Sequence, residues 1–223
     1  MTHVHGAGGA PADVSLPPDT PPYKLVATLG FAGALAGLLV AAVYQVTLPP
    51  IERHRAIVMQ AAIAEVLQRP VRWDTLYLEN GALTQRPKVV AASLERVFVG
   101  YDSTGKQVGA AISAGEPGFT EIISLMFGYD VTSGQLLGLK ILDQKETPGL
   151  GDKIERDSTF VRQFEGARAP VTAVKKKSGR DASEIDAISG ATISSRAVTR
   201  IINNAVAKWG PLLTAWKPQG TGS

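Results

Sequence analysis

The run LVATLGFAGALAGLLVAAVYQV, Leu25 to Val46, holds 22 residues without one charge. At a helical rise of about 1.5 Å per residue it spans about 30 Å, the thickness of a bilayer's hydrocarbon core. It reads as a retained membrane anchor, one transmembrane helix over 24–47. A cleaved signal peptide is the competing reading and fits less well. The apolar run exceeds the usual signal core, only Lys24 stands beside it, and no small-x-small cleavage site follows. Gly33 and Gly37 would let a second helix approach closely, although glycine is common in membrane helices generally.

The anchor divides the chain. Residues 1–23 are rich in Gly, Ala, Pro and Asp without periodicity and read as a disordered tail. Pro49 and Pro50 are expected to end the span. A single domain over 48–210 and a C-terminal tail over 211–223 follow. Hydrophobic residues are 44% of the chain and charged residues 19%, enough for a real core. A net charge of +3 is too small to argue for nucleic acid, and no nucleic-acid motif is present. Cysteine is absent, which excludes disulfides, thiolate catalysis and Cys-bound metal clusters. The three histidines, His3, His5 and His54, fall outside the expected core, and no metal site is expected.

Within the domain, Ile51–Gln68 reads as an amphipathic helix with Ile51, Val58, Ala62 and Val66 near one face. Asn80-Gly81 is a hairpin-type turn. Gly100–Ile112 and Gly128–Ile141 repeat one pattern: Tyr-Asp, a turn containing Gly, then an apolar strand. Two antiparallel hairpins follow from it. The segment between them is read as a Gly/Pro loop leading into an apolar strand or short helix. Thr147–Gly151 must be loop, a short helix starts near Asp157, and a strand lies near Val171–Val174. Ser194–Trp209 carries one apolar face and should stop at Gly210-Pro211. The fold class is α+β: one transmembrane helix, then antiparallel strands packed with helices.

The segment DAISGATISSRAV, Asp186 to Val198, places hydroxyl and small residues where that last helix begins. Three readings stay open on the residues alone. Thr192 or Ser194 could cap the helix, with Gly190 in the turn. The free N–H groups could cradle a phosphate. A hydroxyl could be an attachment point, but Thr192 has no His or Cys nearby to activate it, so another protein would have to install the group. The Thr147–Gly151 loop could equally be a surface turn, and Lys175–Lys177 could screen a phosphate or simply be solvated.

DAISGAT resembles the Asp-x-x-(Ser/Thr)-Gly-Ala-Thr flavinylation motif, with Asp186, Ser189, Gly190, Ala191 and Thr192 filling it in order. KETPGLGDKIE, Lys145 to Glu155, resembles a second signature of the same proteins, and the N-terminal anchor matches their architecture. Together, over roughly residues 24–210, these resemble the FMN-binding family that includes the G subunit of the Rnf electron-transport complex. Its homologue, the C subunit of the sodium-translocating NADH:quinone reductase, is the neighbouring alternative. The resemblance implies FMN moved from FAD onto Thr192 by a flavin transferase, through a phosphoester. It implies that Ser194 lies at the attachment site and that Glu146, Thr147, Gly149 and Leu150 lie near the isoalloxazine. It also implies an electron carrier in an ion-translocating ferredoxin:NAD oxidoreductase complex, with the other membrane subunits and membrane lipid as partners. The domain would be periplasmic on a bacterial inner membrane, although Lys24 on one flank and Arg53 and Arg55 on the other weakly favour the opposite topology. A non-redox anchored binding domain and a stand-alone flavin reductase are the alternatives. No Rossmann-type glycine fingerprint follows a strand, which counts against the reductase.

Overall fold

The structure is a computed structural model and describes residues 21–88 and 94–217. The tail expected over 1–23 lies outside the described residues as far as position 20, as do the last six positions of the expected C-terminal tail. The chain divides into two compact units, Met1–Arg53 and His54–Ser223.

Helix α1 runs Pro22–Val66. Its apolar window has a mean hydropathy of 2.2 and buries none of its residues within the protein. Such a surface is stable only against lipid or other apolar matter. The break expected at Pro49-Pro50 does not occur, because both prolines lie inside the helix. The fixed φ of proline is helical, but each one removes an N–H donor and sets its ring against the carbonyl four residues back. The loss, about 3 kcal/mol or more per interior proline, is carried by a helix of 45 residues. The expected apolar face also shifts. Ile51 is exposed, Val58 is half-buried, and the buried positions are Ala62, Ile63, Val66 and, just beyond the helix, Leu67.

The second unit is built on a six-stranded sheet. Its strands are β1 (Arg72–Glu79), β2 (Ala82–Thr84), β3 (Arg96–Tyr101), β4 (Gln107–Pro117), β5 (Ile122–Asp130) and β6 (Gln135–Asp143). They lie in the order β2-β1-β3-β4-β5-β6, and every neighbouring pair is antiparallel. The β1–β2 turn falls at Asn80-Gly81, with φ of 50° and 80°, as a two-residue hairpin requires. Both repeated hairpins form, and the repeated aspartate explains them. Asp102 Oδ1 accepts from Thr104 N and Lys106 N, while Asp130 takes bonds from Thr132 N and the Ser133 hydroxyl. Each aspartate shapes its turn by accepting from the backbone just ahead of it. The segment between the hairpins is strand for longer than expected, since β4 runs on to Pro117.

The sheet is covered on both faces, so β3 and the middle of β4 are buried without alternation. One face carries Phe98, Ala111 and Met126 against Ala62, Ile63, Val66 and Leu67. The other carries Val97, Val99, Ile112 and Phe127 against Val198, Ile201, Ile202 and Trp209 of the last helix. Between sheet and last helix the chain forms α2 (Lys153–Arg156), α3 (Ser158–Arg162), β7 (Thr172–Val174) and β8 (Glu184–Asp186). Asp157 caps α3 by accepting from Thr159 N and Phe160 N. The β7–β8 pair is parallel, the exception to an otherwise antiparallel fold. The last helix, α4, spans Thr192–Ala215 and passes through Gly210-Pro211, where a stop was expected. Leu213 is buried and Leu212 and Trp216 pack on the same core, so apolar burial past the proline outweighs its missing donor.

The end of α1 rests on glycine. A Cβ on Gly128 would run into the Val66 carbonyl, and one on Gly100 would sit 2.8 Å from Leu67 Cδ1. Gly128→Ala must push strand and helix apart. It should cost about 1–3 kcal/mol by overpacking and lower the thermal midpoint of the detergent-solubilised protein; an unchanged midpoint would mean that this helix end does not bear on the sheet.

Candidate functional site

Thr192 is the first residue of α4 and is half-buried. Neither expected capping residue caps the helix, because Ala191 holds the cap position and no side chain bonds there. The backbone N–H groups of Thr192, Ile193 and Ser194 have no acceptor among the described residues. They leave the positive end of a 24-residue helix facing outward. Ser195, which sequence reasoning passed over, closes the turn instead: its hydroxyl accepts from Ile188 N at 3.1 Å and donates to Ala191 O at 2.9 Å. Gly190 has φ of 82° and is exposed. Only glycine takes this conformation without strain, and a Cβ there would meet Leu150 Cδ2 at 3.2 Å.

Ser194 faces inward. Its hydroxyl donates to Glu146 Oε2 at 2.5 Å across 48 residues of chain. Glu146 is 5% exposed. Its other oxygen accepts from Phe119 N and Thr120 N, each at 3.0 Å. One carboxylate therefore ties the turn before β5, the loop after β6 and the first turn of α4. Two glycines make room for it. A Cβ on Gly118 would lie 2.5 Å from Oε1, and one on Gly151 would lie 2.7 Å from Glu146 Cβ. Burial pushes the Glu146 carboxyl up; the Ser194 hydroxyl and the N–H groups of Thr120 and Phe119 more than offset it and hold the group below its usual range.

These contacts enclose a cleft of about 350 Å³. Glu146, Thr147 and Leu150 line it from the loop, and Gly190, Ala191, Thr192 and Ser194 line it from the helix start. The structure thus brings together seven of the ten expected residues. Phe119, Gly151 and Ile193 complete the lining and were not anticipated. Phe119, Leu150 and Ile193 are 62%, 47% and 56% exposed, so large apolar side chains stand open around the cleft. Such a rim has an affinity for a flat apolar ring. Gly149, with φ of 78°, turns the loop without lining the cleft. Asp186 and Ser189 line a different cleft, of about 710 Å³. Asp186 is structural at close range: its Oδ1 accepts from Lys177 N at 2.5 Å. A third cleft, of about 380 Å³ beside Glu116, Lys208 and Trp209, contains none of the expected residues.

An FMN group fits the first cleft on this geometry. Its phosphate would meet the free N–H groups and the hydroxyl of Thr192, and its ring would meet the apolar rim. Asp152 Oδ1, buried next to Gly151, is the one buried side-chain oxygen without a hydrogen-bond partner among the described residues. No His, Cys, Asp or Glu cluster among the described residues could hold a metal.

Comparison with known proteins gives the same direction. Residues 118–207 match the family model described as an FMN-binding domain. The G subunit of the ion-translocating oxidoreductase complex of Shewanella baltica is 34% identical over 188 residues, covering 79% of this chain and 86% of that protein. The G subunit of the Escherichia coli complex is 32% identical over 182 residues, covering 78% and 84%. That of Methanosarcina acetivorans is 28% identical over 183 residues, covering 82% and 92%. The crystal structure of Shewanella oneidensis NqrC shares the fold with a TM-score of 0.59 at 18% identity, over 74% of this chain and all of that one.

Replacing Glu146 by Gln removes the charge that three donors hold. Hydrogen bonds to a charged acceptor contribute about 1.5–3 kcal/mol, and Glu146→Gln should lose a comparable amount at pH 7. The carboxyl is held low in the folded state, so its contribution is complete above the unfolded value of about 4.3 and disappears as pH falls through the folded one. The gap between native and variant midpoints in thermal melts should therefore close below about pH 4; a gap that is constant from pH 7 to pH 3 would contradict the charge assignment.

Proposed function

This chain belongs to the family formed by the G subunits of ion-translocating oxidoreductase complexes, and from that premise we propose that Thr192 carries FMN through a phosphoester. The chain is a membrane-anchored, FMN-binding electron-carrier subunit of such a complex. The observation that carries the attachment site is the cleft that joins Thr192 to the Glu146–Leu150 loop at the start of α4. FMN supplies the electron-carrying chemistry when bound. The protein's share is to attach, orient and shield it.

The residues divide this work. Thr192 offers the hydroxyl, and the N–H groups of Thr192, Ile193 and Ser194 stabilise negative charge beside it. Gly190 and Ala191 keep the approach to that hydroxyl narrow in side-chain bulk. Leu150 and Ile193, with Phe119, give the ring apolar faces. Glu146, held by Ser194, fixes the loop that carries Thr147, Gly149 and Leu150 against the helix. Asp186 and Ser189 shape the far side of the segment.

Thr192 has no base of its own. The nearby carboxylate, Glu146, already accepts three hydrogen bonds. A separate flavin transferase therefore installs the group, with FAD as donor. The threonine oxygen forms a bond to the FMN-side phosphorus, the pyrophosphate P–O bond breaks, and AMP leaves. The threonine proton passes to a base on the transferase. This requires the second unit to face the compartment where the transferase works, which we take as the periplasm of a bacterial inner membrane. For the whole complex we propose electron flow between ferredoxin and NAD coupled to ion movement, with the other membrane subunits as partners. The family membership favours this over a sodium-translocating NADH:quinone reductase. The capping role for Thr192 loses support from the geometry, since its side chain makes no capping bond.

Thr192→Ala should fold with stability within about 0.5 kcal/mol of native, because no cap is lost. Produced with the transferase, it should show no flavin fluorescence on a denaturing gel under ultraviolet light, whereas the native chain should show a band. A fluorescent band in the variant would move the attachment elsewhere, with Ser194 and Thr199 the first to examine. Orientation is checked separately. An export-dependent reporter fused after Ser223 should be active, and activity of a cytoplasm-only reporter would reverse the topology.

A further inference from the structure

Fastening a loop does not use up what Glu146 brings to the cleft, which is a charge. It is the one charged residue among those that line the cleft. It forms no ion pair among the described residues. Its three partners, Phe119 N, Thr120 N and the Ser194 hydroxyl, are neutral donors. They spread the negative charge without cancelling it. The carboxylate is buried, so water and salt screen it poorly.

The neighbouring charges leave that field standing. Lys145, next to Glu146 in the chain, is exposed and pairs with Glu121 at 2.9 Å. Asp152, the other buried carboxylate of the loop, has the Arg156 guanidinium 3.5 Å from its Oδ2. Arg200 of α4 pairs with Glu116 at 3.0 Å. Lys153 and Arg196 form no ion pair among the described residues, but both are exposed and neither lines the cleft. Asp143 and Glu155 are exposed as well. Charges in that position are weakened by solvent. The start of α4 is positive, and the phosphate of FMN would take that charge up.

We propose that the fixed charge of Glu146 tunes the flavin, holding its reduction potential low; this rests on reading the cleft as the FMN site. Two electrons from a donor within the complex and one proton from water, added to the oxidised ring, leave it with one net negative charge. A negative charge already fixed at the cleft opposes that gain and leaves the neutral oxidised ring alone. Three hydrogen bonds keep the carboxylate from turning away as the ring is reduced. The reduced flavin is thereby a stronger electron donor. The role needs no bond to the ring, only a short path of low dielectric constant. A unit charge acting across a cleft of about 350 Å³, at an effective dielectric constant of about 20, shifts such an equilibrium about tenfold.

The test uses the full chain in detergent, loaded with FMN by the flavin transferase and FAD. The potential at pH 7 is read from flavin absorbance during reduction with sodium dithionite beside a reference dye, so incomplete loading does not bias it. Glu146→Gln keeps the shape of the side chain and removes its charge. It should favour the reduced flavin about tenfold, which is about 30 mV upward for a two-electron couple. The gap should persist at about 0.5 M salt, because a buried charge is screened little. Glu146→Asp disturbs the contacts but keeps the charge, and its potential should stay within about twofold of native on the same scale. Ser194→Ala removes one of the donors that spread the charge, while Phe119 N and Thr120 N still hold it. Its potential should fall, about threefold towards the oxidised flavin. If Glu146→Gln folds or loads too poorly to read, the sign of that shift decides. Equal potentials in Glu146→Gln and native, a gap that vanishes with salt, a Glu146→Asp value that matches Glu146→Gln, or an upward shift in Ser194→Ala would overturn the tuning role. A native chain that takes up no flavin would overturn the FMN site instead, so the two failures are distinguishable.

Discussion

The site depends on one buried carboxylate. Glu146 takes hydrogen bonds from the turn after β4, through Phe119 and Thr120, and from α4, through Ser194. Removing any of these donors leaves a charge in a poorly solvated place, which is why the arrangement is all or none. The glycines at 118 and 151 follow from it, because any side chain there would occupy the carboxylate's own space. So does the position of Leu150, four residues further along the same loop, at the mouth of the cleft beside Thr192.

A second constraint sets the outer half of the segment. The parallel pair β7–β8 is three residues long on each side, too short to hold itself. Side chains support it. Gln163 donates to Asp186 O and accepts from Asp186 N, and Asn203 bonds both the N–H and the C=O of Val171. The segment therefore enters α4 from a fixed strand end, and Ser195 locks the intervening turn. The capping expected of Thr192 or Ser194 is not made by either: Ser195 secures the turn and the Thr192 side chain makes no capping bond.

The hairpins, the long apolar run and the two loops that meet at the cleft stood out in the sequence because each is local. Tyr-Asp before a glycine turn, 22 uncharged residues, and Gly beside hydroxyl residues all declare themselves within a short window. The partnership of Glu146 with Ser194 was not legible, since it closes across 48 residues. The loop was placed near the helix start by resemblance, but its hydrogen bonds come only from the fold. Both proline stops failed for one reason. A local rule weighed the missing donor, whereas the outcome was set by what lay beyond it: Leu213 in the core after Pro211, and Ala62, Ile63 and Val66 after Pro50. Phe119 could have been suspected, being a large apolar residue in a Gly/Pro turn with no strand pattern to absorb it.

The distance in sequence between the parts of the cleft has a consequence for order in time. Phe119, Glu146 and Thr192 come from three stretches of chain, and the last of them is near the C-terminal end of the folded unit. The contacts that join these stretches through Glu146 are complete only where α4 lies against the sheet. On the proposed attachment at Thr192, a group joined to the shaped segment would be a stamp applied after assembly, and colour in a preparation would count the chains that reached the native state rather than the chains that were made.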